Sequence, residues 1–369
     1  MKVLYLLNIP SPNRVDFFNE FGKLCELTVL FETEASTERD ESWKNYQFKN
    51  FQGIILPGKR MSLDTAFCPS VIKYLKRERY DYVIIANLAS PTGLLAVAWL
   101  KMKRIPYCYE GDGGIAGKKT GMKARLKRFI ISSAQLCFST TNDFDKYCMV
   151  YGAEQEKIRR YPFSSIFEAD ILKEVSSEKY KESLRKELAI KENRIVLSVG
   201  RIIHLKGFDV LLNAFAEIND PEWGLYIIGG KANKEFQEII IEKKIKNVHF
   251  IDFKLPNELK KYYEAADIFV MPTRSDTWGL VINEAMAAGL PVITTYACGA
   301  GTEMIVPEKN GFLYEPEDID ALKKYLLVLM RCSVMRREIG EKALETVHEY
   351  TLEKMAEVHY RVLKKEVGE

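Results

Sequence analysis

The segment DIFVMPTRSDTWGLVINEAMAAGLPVITT, residues 267–295, decides the fold. An apolar run of strand character, IFVM, is followed by a short polar turn. LVINEAMAA then carries good helix formers and stops at Gly289 before Pro291; glycine suits a helix end and proline cannot continue one. VITT opens the next strand, so the spacing predicts strand, tight turn, helix, strand. The same segment holds two carboxylates, Asp276 and Glu284, with a helix entrance between them.

Such an entrance attracts phosphate oxygens, because the first N–H groups lack intrahelical partners and the helix dipole is positive there. Glu284, about five residues in, stands roughly 7–8 Å along the axis at about 1.5 Å per residue. That is close to the distance from a nucleotide's diphosphate to its ribose hydroxyls, from which a carboxylate accepts hydrogen bonds. Asp276, at the mouth, is placed to accept from a sugar on the far side of the diphosphate. An ordinary turn with a capping Asp and a solvated helix Glu stays open on these residues alone.

Outward from this segment, strand-like and helix-like runs alternate. RIVLSVGR, WGLYIIGG and VHFIDF read as strands, and GFDVLLNAFAEI, FQEIIIEKKI and PNELKKYYEAA as helices. The first half repeats the pattern, with strands VLYLL, LTVLFE, GIILPG, DYVIIAN, IPYCYEGDGG and AQLCFST. Its helices are VDFFNEFGKLC, VIKYLKRERY, PTGLLAVAWLKMKR and NDFDKYCMVYG. Short apolar strands alternating with longer helices indicate doubly wound parallel sheets. The fold class is α/β, with two Rossmann-like domains, residues 1–165 and 166–351, whose sheets are expected to face across a cleft. The charged stretch 163–193 reads as linker plus helix, and the final helical run, 352–366, is long enough to return to the first domain. Ligands gather at the carboxyl ends of parallel strands, which puts the loops 8–14, 87–91 and 110–117 on the ligand side.

Composition agrees. The chain has 369 residues, 47% of them hydrophobic, enough for two cores. The net charge of +3 hides an asymmetry: residues 1–165 hold 25 Lys or Arg against 17 Asp or Glu, leaving 29 against 34 for the remainder. The first half is the basic one. Seven cysteines without C-x-x-C spacing read as reduced thiols, and MKVLYLLNIPSPNR reads as a first strand and not a signal peptide. No window approaches the roughly 18 apolar residues of a membrane span. A soluble cytoplasmic enzyme is expected, with a peripheral location at the inner face of the cell membrane left open.

VGRIIHLKGFDVLLNAF puts Arg201 just after a strand and Lys206 just before a helix. A guanidinium and an ammonium so placed suit a diphosphate and neutralise the charge that builds when a nucleoside diphosphate departs.

With these pieces in order, the chain resembles the retaining glycosyltransferases of family four, of the GT-B fold. The likeness runs from VGRIIHLKGFDVLLNAF through AADIFVMPTRSDTWGLVINEAMAAGLPVITT to GTEMIVPEKNGFLY, and the beginning is similar in pattern to bacterial polysaccharide-assembly members. The resemblance implies transfer of a sugar from a UDP- or GDP-linked donor to a hydroxyl of a glycan or lipid-linked acceptor, with retention of anomeric configuration. It implies that Arg201 and Lys206 bind the diphosphate and that Glu284 holds the ribose. Thr277, Trp278, Gly279, Leu280 and Val281 match the loop whose amides meet phosphates and sugar. Asp276 stands where the family has a Glu that contacts the donor sugar, a shorter side chain with the same charge. Gly229, Gly230 and Phe253 fall where the family holds the base.

In the first domain Asp112 occupies the place of a family His, six residues after Pro106. Asp112 or Glu110 would orient the acceptor hydroxyl or accept its proton, and Arg14, in the first loop, would meet phosphate or acceptor. A turn-shaping Asp remains the alternative. The run KKTGMKARLKRF, residues 118–129, carries Lys118, Lys119, Lys123, Arg125, Lys127 and Arg128 and no acid. It suits an anionic membrane surface or a lipid diphosphate, or is a solvated helix. The four histidines lack ligand spacing, so no metal and no other cofactor is expected, and no nucleic-acid partner. No G-x-G-x-x-G follows either first strand, which argues against a dehydrogenase. A sugar-nucleotide epimerase, a phosphorylase or a non-catalytic sugar-nucleotide binder remain as rivals.

Overall fold

A computed structural model describes residues 1–34, 46–86, 90–114 and 120–367. The chain divides into two units, Met1–Ser165 with Thr351–Glu369, and Ile166–Tyr350.

The first unit opens with β1 (Lys2–Leu7), α1 (Pro12–Phe21), β2 (Glu26–Phe31) and β3 (Gln52–Ile55). An antiparallel ribbon of β4 (Lys59–Arg60) and β5 (Ala66–Phe67) follows. Then come β6 (Tyr82–Ile85), α2 (Pro91–Met102), β7 (Cys108–Glu110), α3 (Met122–Ile131), β8 (Leu136–Ser139), α4 (Asn142–Val150) and β9 (Ile158–Arg160). Seven strands form a parallel sheet in the order β3-β2-β1-β6-β7-β8-β9. Strands such as YVII and LCFS are buried along their whole length, as a sheet covered on both faces requires.

Three local readings change. VIKYLKRERY is not a helix; only a 3₁₀ turn, Pro69–Lys73, forms there. Only Val71 and Leu75 of that segment are deeply buried, too few anchors to hold a longer helix. α1 starts at Pro12, where the missing N–H of proline is harmless, so Arg14 lies in its first turn and not in the loop. The edge strand β9 was not legible as a separate element. Residues 87–89 and 115–119, which include Lys118 and Lys119, lie outside the described residues.

The second unit runs α5 (Glu178–Glu187), β10 (Arg194–Val199), α6 (Phe208–Ile218), β11 (Trp223–Ile228), α7 (Lys234–Glu242), β12 (Val248–Ile251) and α8 (Pro256–Ala265). β13 (Ile268–Met271), α9 (Val281–Ala287), β14 (Val292–Thr295), α10 (Gly299–Met304), β15 (Gly311–Tyr314), α11 (Ile319–Arg331) and α12 (Ser333–Val347) complete it. Its six parallel strands lie in the order β12-β11-β10-β13-β14-β15. Both sheets reverse direction once, between β1 and β6 and between β10 and β13. At such a point the flanking connections leave to opposite faces and open a crevice at the carboxyl ends of the strands.

The chain then returns to the first unit with α13 (Leu352–Val367). Leu352, Met355, Ala356 and Leu363 are buried there, and the Leu363 carbonyl accepts a hydrogen bond from the Tyr82 hydroxyl at 2.8 Å. His359, fully buried, stacks on Phe138 at 4.7 Å between ring centroids and presents Nε2 to Glu110 Oε2 at 3.2 Å. Glu110 also takes the Tyr5 hydroxyl at 2.5 Å and faces Arg14 Nη2 at 2.7 Å.

This overturns the reading of Arg14 and Glu110 as acceptor-side groups. Both are buried, Glu110 to 2% exposure, and they neutralise each other inside an aromatic shell, with the Arg14 guanidinium 5.1 Å from the Phe17 and Phe18 rings. Burial by itself would lift the Glu110 carboxyl; Arg14, His359 and the Tyr5 hydroxyl outweigh it and bring it down to about 2. A carboxylate so stabilised is a poor proton acceptor. Glu110→Ala leaves a buried guanidinium unpaired and is expected to cost about 3–5 kcal/mol at neutral pH, read from denaturant unfolding. Because the folded value lies below the unfolded one, the stabilisation is complete above about pH 4.5 and is lost as pH falls toward about 2. The gap between wild type and variant therefore narrows on acidification; an equal midpoint at pH 7 would refute the role.

Candidate functional site

The connections after β10 and β13 emerge side by side at the reversal of the second sheet, since the two strands pair through Val196↔Ile268 and Leu197↔Phe269. Lys206 ends the first connection and Asp276 sits in the second. Their side chains meet as an ion pair, Lys206 Nζ to Asp276 Oδ2, each about one-sixth exposed. Arg201 follows β10 directly and is exposed, and the Lys206 stem runs beside Gly200.

Backbone and hydroxyl contacts tie the two connections together. The Leu205 carbonyl accepts from the Arg274 amide at 2.9 Å and from Thr273 Oγ1 at 3.1 Å. Gly207 turns with φ +68°, and a Cβ there would lie 2.0 Å from the Pro272 carbonyl oxygen, so only glycine allows the approach. Thr295 Oγ1 reaches the Thr273 carbonyl at 2.6 Å and Ser198 Oγ the Val270 carbonyl at 2.5 Å, satisfying acceptors where the ladder ends.

Arg274, which sequence reasoning passed over, is the main clamp. Its fork meets both Asp209 oxygens at 2.8 and 2.6 Å, Glu317 Oε2 at 3.0 Å and the His204 carbonyl at 2.6 Å. Asp209 is held below the usual carboxylate range because the Arg274 hydrogen bonds and charge outweigh its burial. A cation inside the same TRSD turn as Asp276 was the available signal; nothing local pointed to Glu317.

Asp276 Oδ1 also accepts from the Trp278 amide at 3.3 Å, a side-chain turn that fixes the carboxylate. Thr277 is exposed beside it. Trp278 itself is core: 2% exposed, with its ring N–H on Asn283 Oδ1 at 2.8 Å. Its side chain is turned away from solvent, and its amide is held by Asp276. Gly279, at φ +95°, leads into α9, whose N-cap Leu280 supplies no side-chain hydrogen bond to the first turn that starts at Val281.

Glu284 lies in that first turn, half-buried, and accepts from the Tyr263 hydroxyl at 2.8 Å. Tyr263 is a second residue missed, hidden in an α8 stripe that reads as core. Gly229 and Gly230 end β11 with positive φ, and their amides both donate to the Ile251 carbonyl, at 2.9 and 3.0 Å. Those N–H groups are spent on the neighbouring strand β12. Phe253 is exposed on the next connection. Asp112 is exposed in a bend of the first unit.

Residues 180–346 match the protein family described as glycosyl transferases group 1. Over those residues, most of the second unit, the chain is similar to that family. An uncharacterized glycosyltransferase of Haemophilus influenzae is 32% identical over 47% of this chain and 50% of its own length. D-inositol 3-phosphate glycosyltransferase of Corynebacterium glutamicum is 26% identical over 76% of this chain and 71% of its own. The chain spans about half the length, or less, of the curated relatives it matches at 30% identity and above. Among solved structures, Anabaena HepE in complex with UDP has a TM-score of 0.79 at 18% identity, covering 99% of this chain and 100% of that one. Sucrose-phosphate synthase from Thermosynechococcus elongatus gives 0.75 at 17%, covering 100% and 99%. The fold is GT-B.

Arg274→Ala is expected to destabilise the second unit by about 1–3 kcal/mol, since it orphans Asp209. Arg274→Lys, which cannot fork, recovers only part of that in thermal unfolding. Unchanged midpoints in both would show the clamp to be idle.

Proposed function

We propose that the protein transfers a sugar from a nucleoside diphosphate to a hydroxyl of a glycan or lipid-linked acceptor, with retention of anomeric configuration. The observation that carries the reading is the Lys206–Asp276 pair at the reversal of the second sheet, with Glu284 eight residues on in the first turn of α9. Relatives named as glycosyltransferases, and a neighbour whose structure holds UDP, support it.

In this reading the Lys206 ammonium exchanges Asp276 for the diphosphate as donor binds. Arg201, exposed at the same strand end, takes a second phosphate oxygen. Asp276, released, accepts from a sugar hydroxyl, and Glu284, held by Tyr263, accepts from the ribose. The bond from the sugar's anomeric carbon to the phosphate oxygen breaks while the acceptor oxygen bonds the same carbon from the same face. The acceptor proton passes to a phosphate oxygen, so no protein carboxylate acts as nucleophile. Charge developing on the leaving group is met by fixed cations, and turnover is accordingly expected to survive EDTA.

Lys206→Ala and Glu284→Ala are each expected to lower the rate of nucleoside diphosphate release by about 10²-fold or more while the unfolding midpoint holds. Tyr263→Phe, which removes the hydroxyl's hydrogen bond to Glu284, raises KM for the donor several-fold and leaves kcat near wild type. A thermal-shift panel of UDP- and GDP-sugars identifies the donor, because a ligand bound only by the folded state raises its midpoint. Near-normal turnover in both alanine variants would sink the assignment; epimerised product with the nucleotide still attached, or a requirement for inorganic phosphate, would replace it.

A further inference from the structure

The first unit presents a surface that donor chemistry does not use. In α3, the residues turned into the core are Ala124, Ile130 and Ile131, at 3%, 1% and 1% exposure. At about 100° per residue the opposite side of the helix carries Met122, Leu126 and Phe129. These are 86%, 41% and 42% exposed, so this helix is apolar on its outward face as well as its inward one. A solvated helix shows the reverse pattern, polar outside and apolar inside.

Cations border that stripe. Lys123, Arg125 and Arg128 are exposed on either side of it, while Lys127 folds inward over the Tyr147 and Tyr151 rings at 4.9 and 5.0 Å. The end of α2 is joined to the same surface: Lys101 Nζ donates to the Phe129 carbonyl at 3.0 Å and to Ser133 Oγ at 2.7 Å, and lies 3.6 Å from the Phe129 ring centroid. That brings up Met102, 63% exposed, with exposed Lys103 and Arg104. Residues 99–109 and 120–135 contain no Asp or Glu to pair with these charges.

We propose that α3 and the last turn of α2 form a docking surface for an anionic lipid bilayer. The cations match a negatively charged headgroup layer, and the outward Met122, Leu126 and Phe129 enter the boundary between headgroups and acyl chains. A soluble polyanion satisfies the cations but gives the apolar stripe nothing to bury in, and is the poorer fit. Among the described residues no helix is long and apolar enough to cross a membrane, so attachment by this surface is peripheral. The inference stands apart from the transfer reaction. If both hold, the surface brings the enzyme to a lipid-linked acceptor.

The test is co-sedimentation of the full chain with vesicles of phosphatidylcholine alone or with about 30% phosphatidylglycerol. Binding is expected to be about tenfold or more tighter to the anionic vesicles, and to fall steeply from roughly 0.1 M to roughly 0.5 M salt. K123E/R125E/R128E abolishes it. M122S/L126S weakens vesicle binding several-fold but leaves retention on heparin, a soluble polyanion, unchanged. Equal binding to both vesicle types, wild-type binding by the charge-reversed variant, or wild-type vesicle binding by the serine variant would each overturn the proposal. Should a multiple variant misfold by circular dichroism, M122S alone and the salt titration decide, since Met122 makes little packing contribution at its exposure.

Discussion

Pairing of β10 with β13 is the constraint on which the second unit depends. The two strands are about 70 residues apart in the chain, yet their parallel register delivers Lys206 and Asp276 to one point. At any other place in a doubly wound sheet, neighbouring connections cover the same face and pack over their own strand ends. At the reversal they diverge, and the polar ends of the connections stay accessible without an unsatisfied backbone. The hydroxyls of Ser198, Thr273 and Thr295 and the Arg274 fork then take up the carbonyls that the ladder leaves over.

The two units use charge differently. In the first, Arg14 and Glu110 are withdrawn from solvent and closed over by His359 from the last helix. Burial of that kind is costly unless partners are present, and α13 supplies one of them, His359. In the second, Lys206 and Asp276 keep part of their surface, and each remains able to exchange its partner for a ligand group. A buried pair serves structure because it cannot change partners cheaply; a partly exposed one at a strand end can.

Much of the fold was legible because burial leaves a periodic trace. Apolar runs such as YVII and IFVM mark strands covered on both faces, and glycine after NEAMAA marks the end of α9. VIKYLKRERY misled because its charges fit a helical wheel while only Val71 and Leu75 found a core. Trp278 lies in the loop as read, and the direction of its ring, inward to Asn283, was not legible from the residues. In α3 the positive charge was plain from the residues, whereas the outward direction of Met122, Leu126 and Phe129 emerged only once the buried side was known.

By itself the amino-acid order determined the alternation of elements, the division into two Rossmann-like halves, and the residue types waiting at each strand end, since these follow from local periodicity and turn chemistry. Tertiary structure alone decided which charges are spent and which are available. Glu110 looked as free as Asp276 along the chain. Its partner His359 comes from 249 residues away, and strand order and the return of the last helix, which no local pattern encodes, put that partner in place.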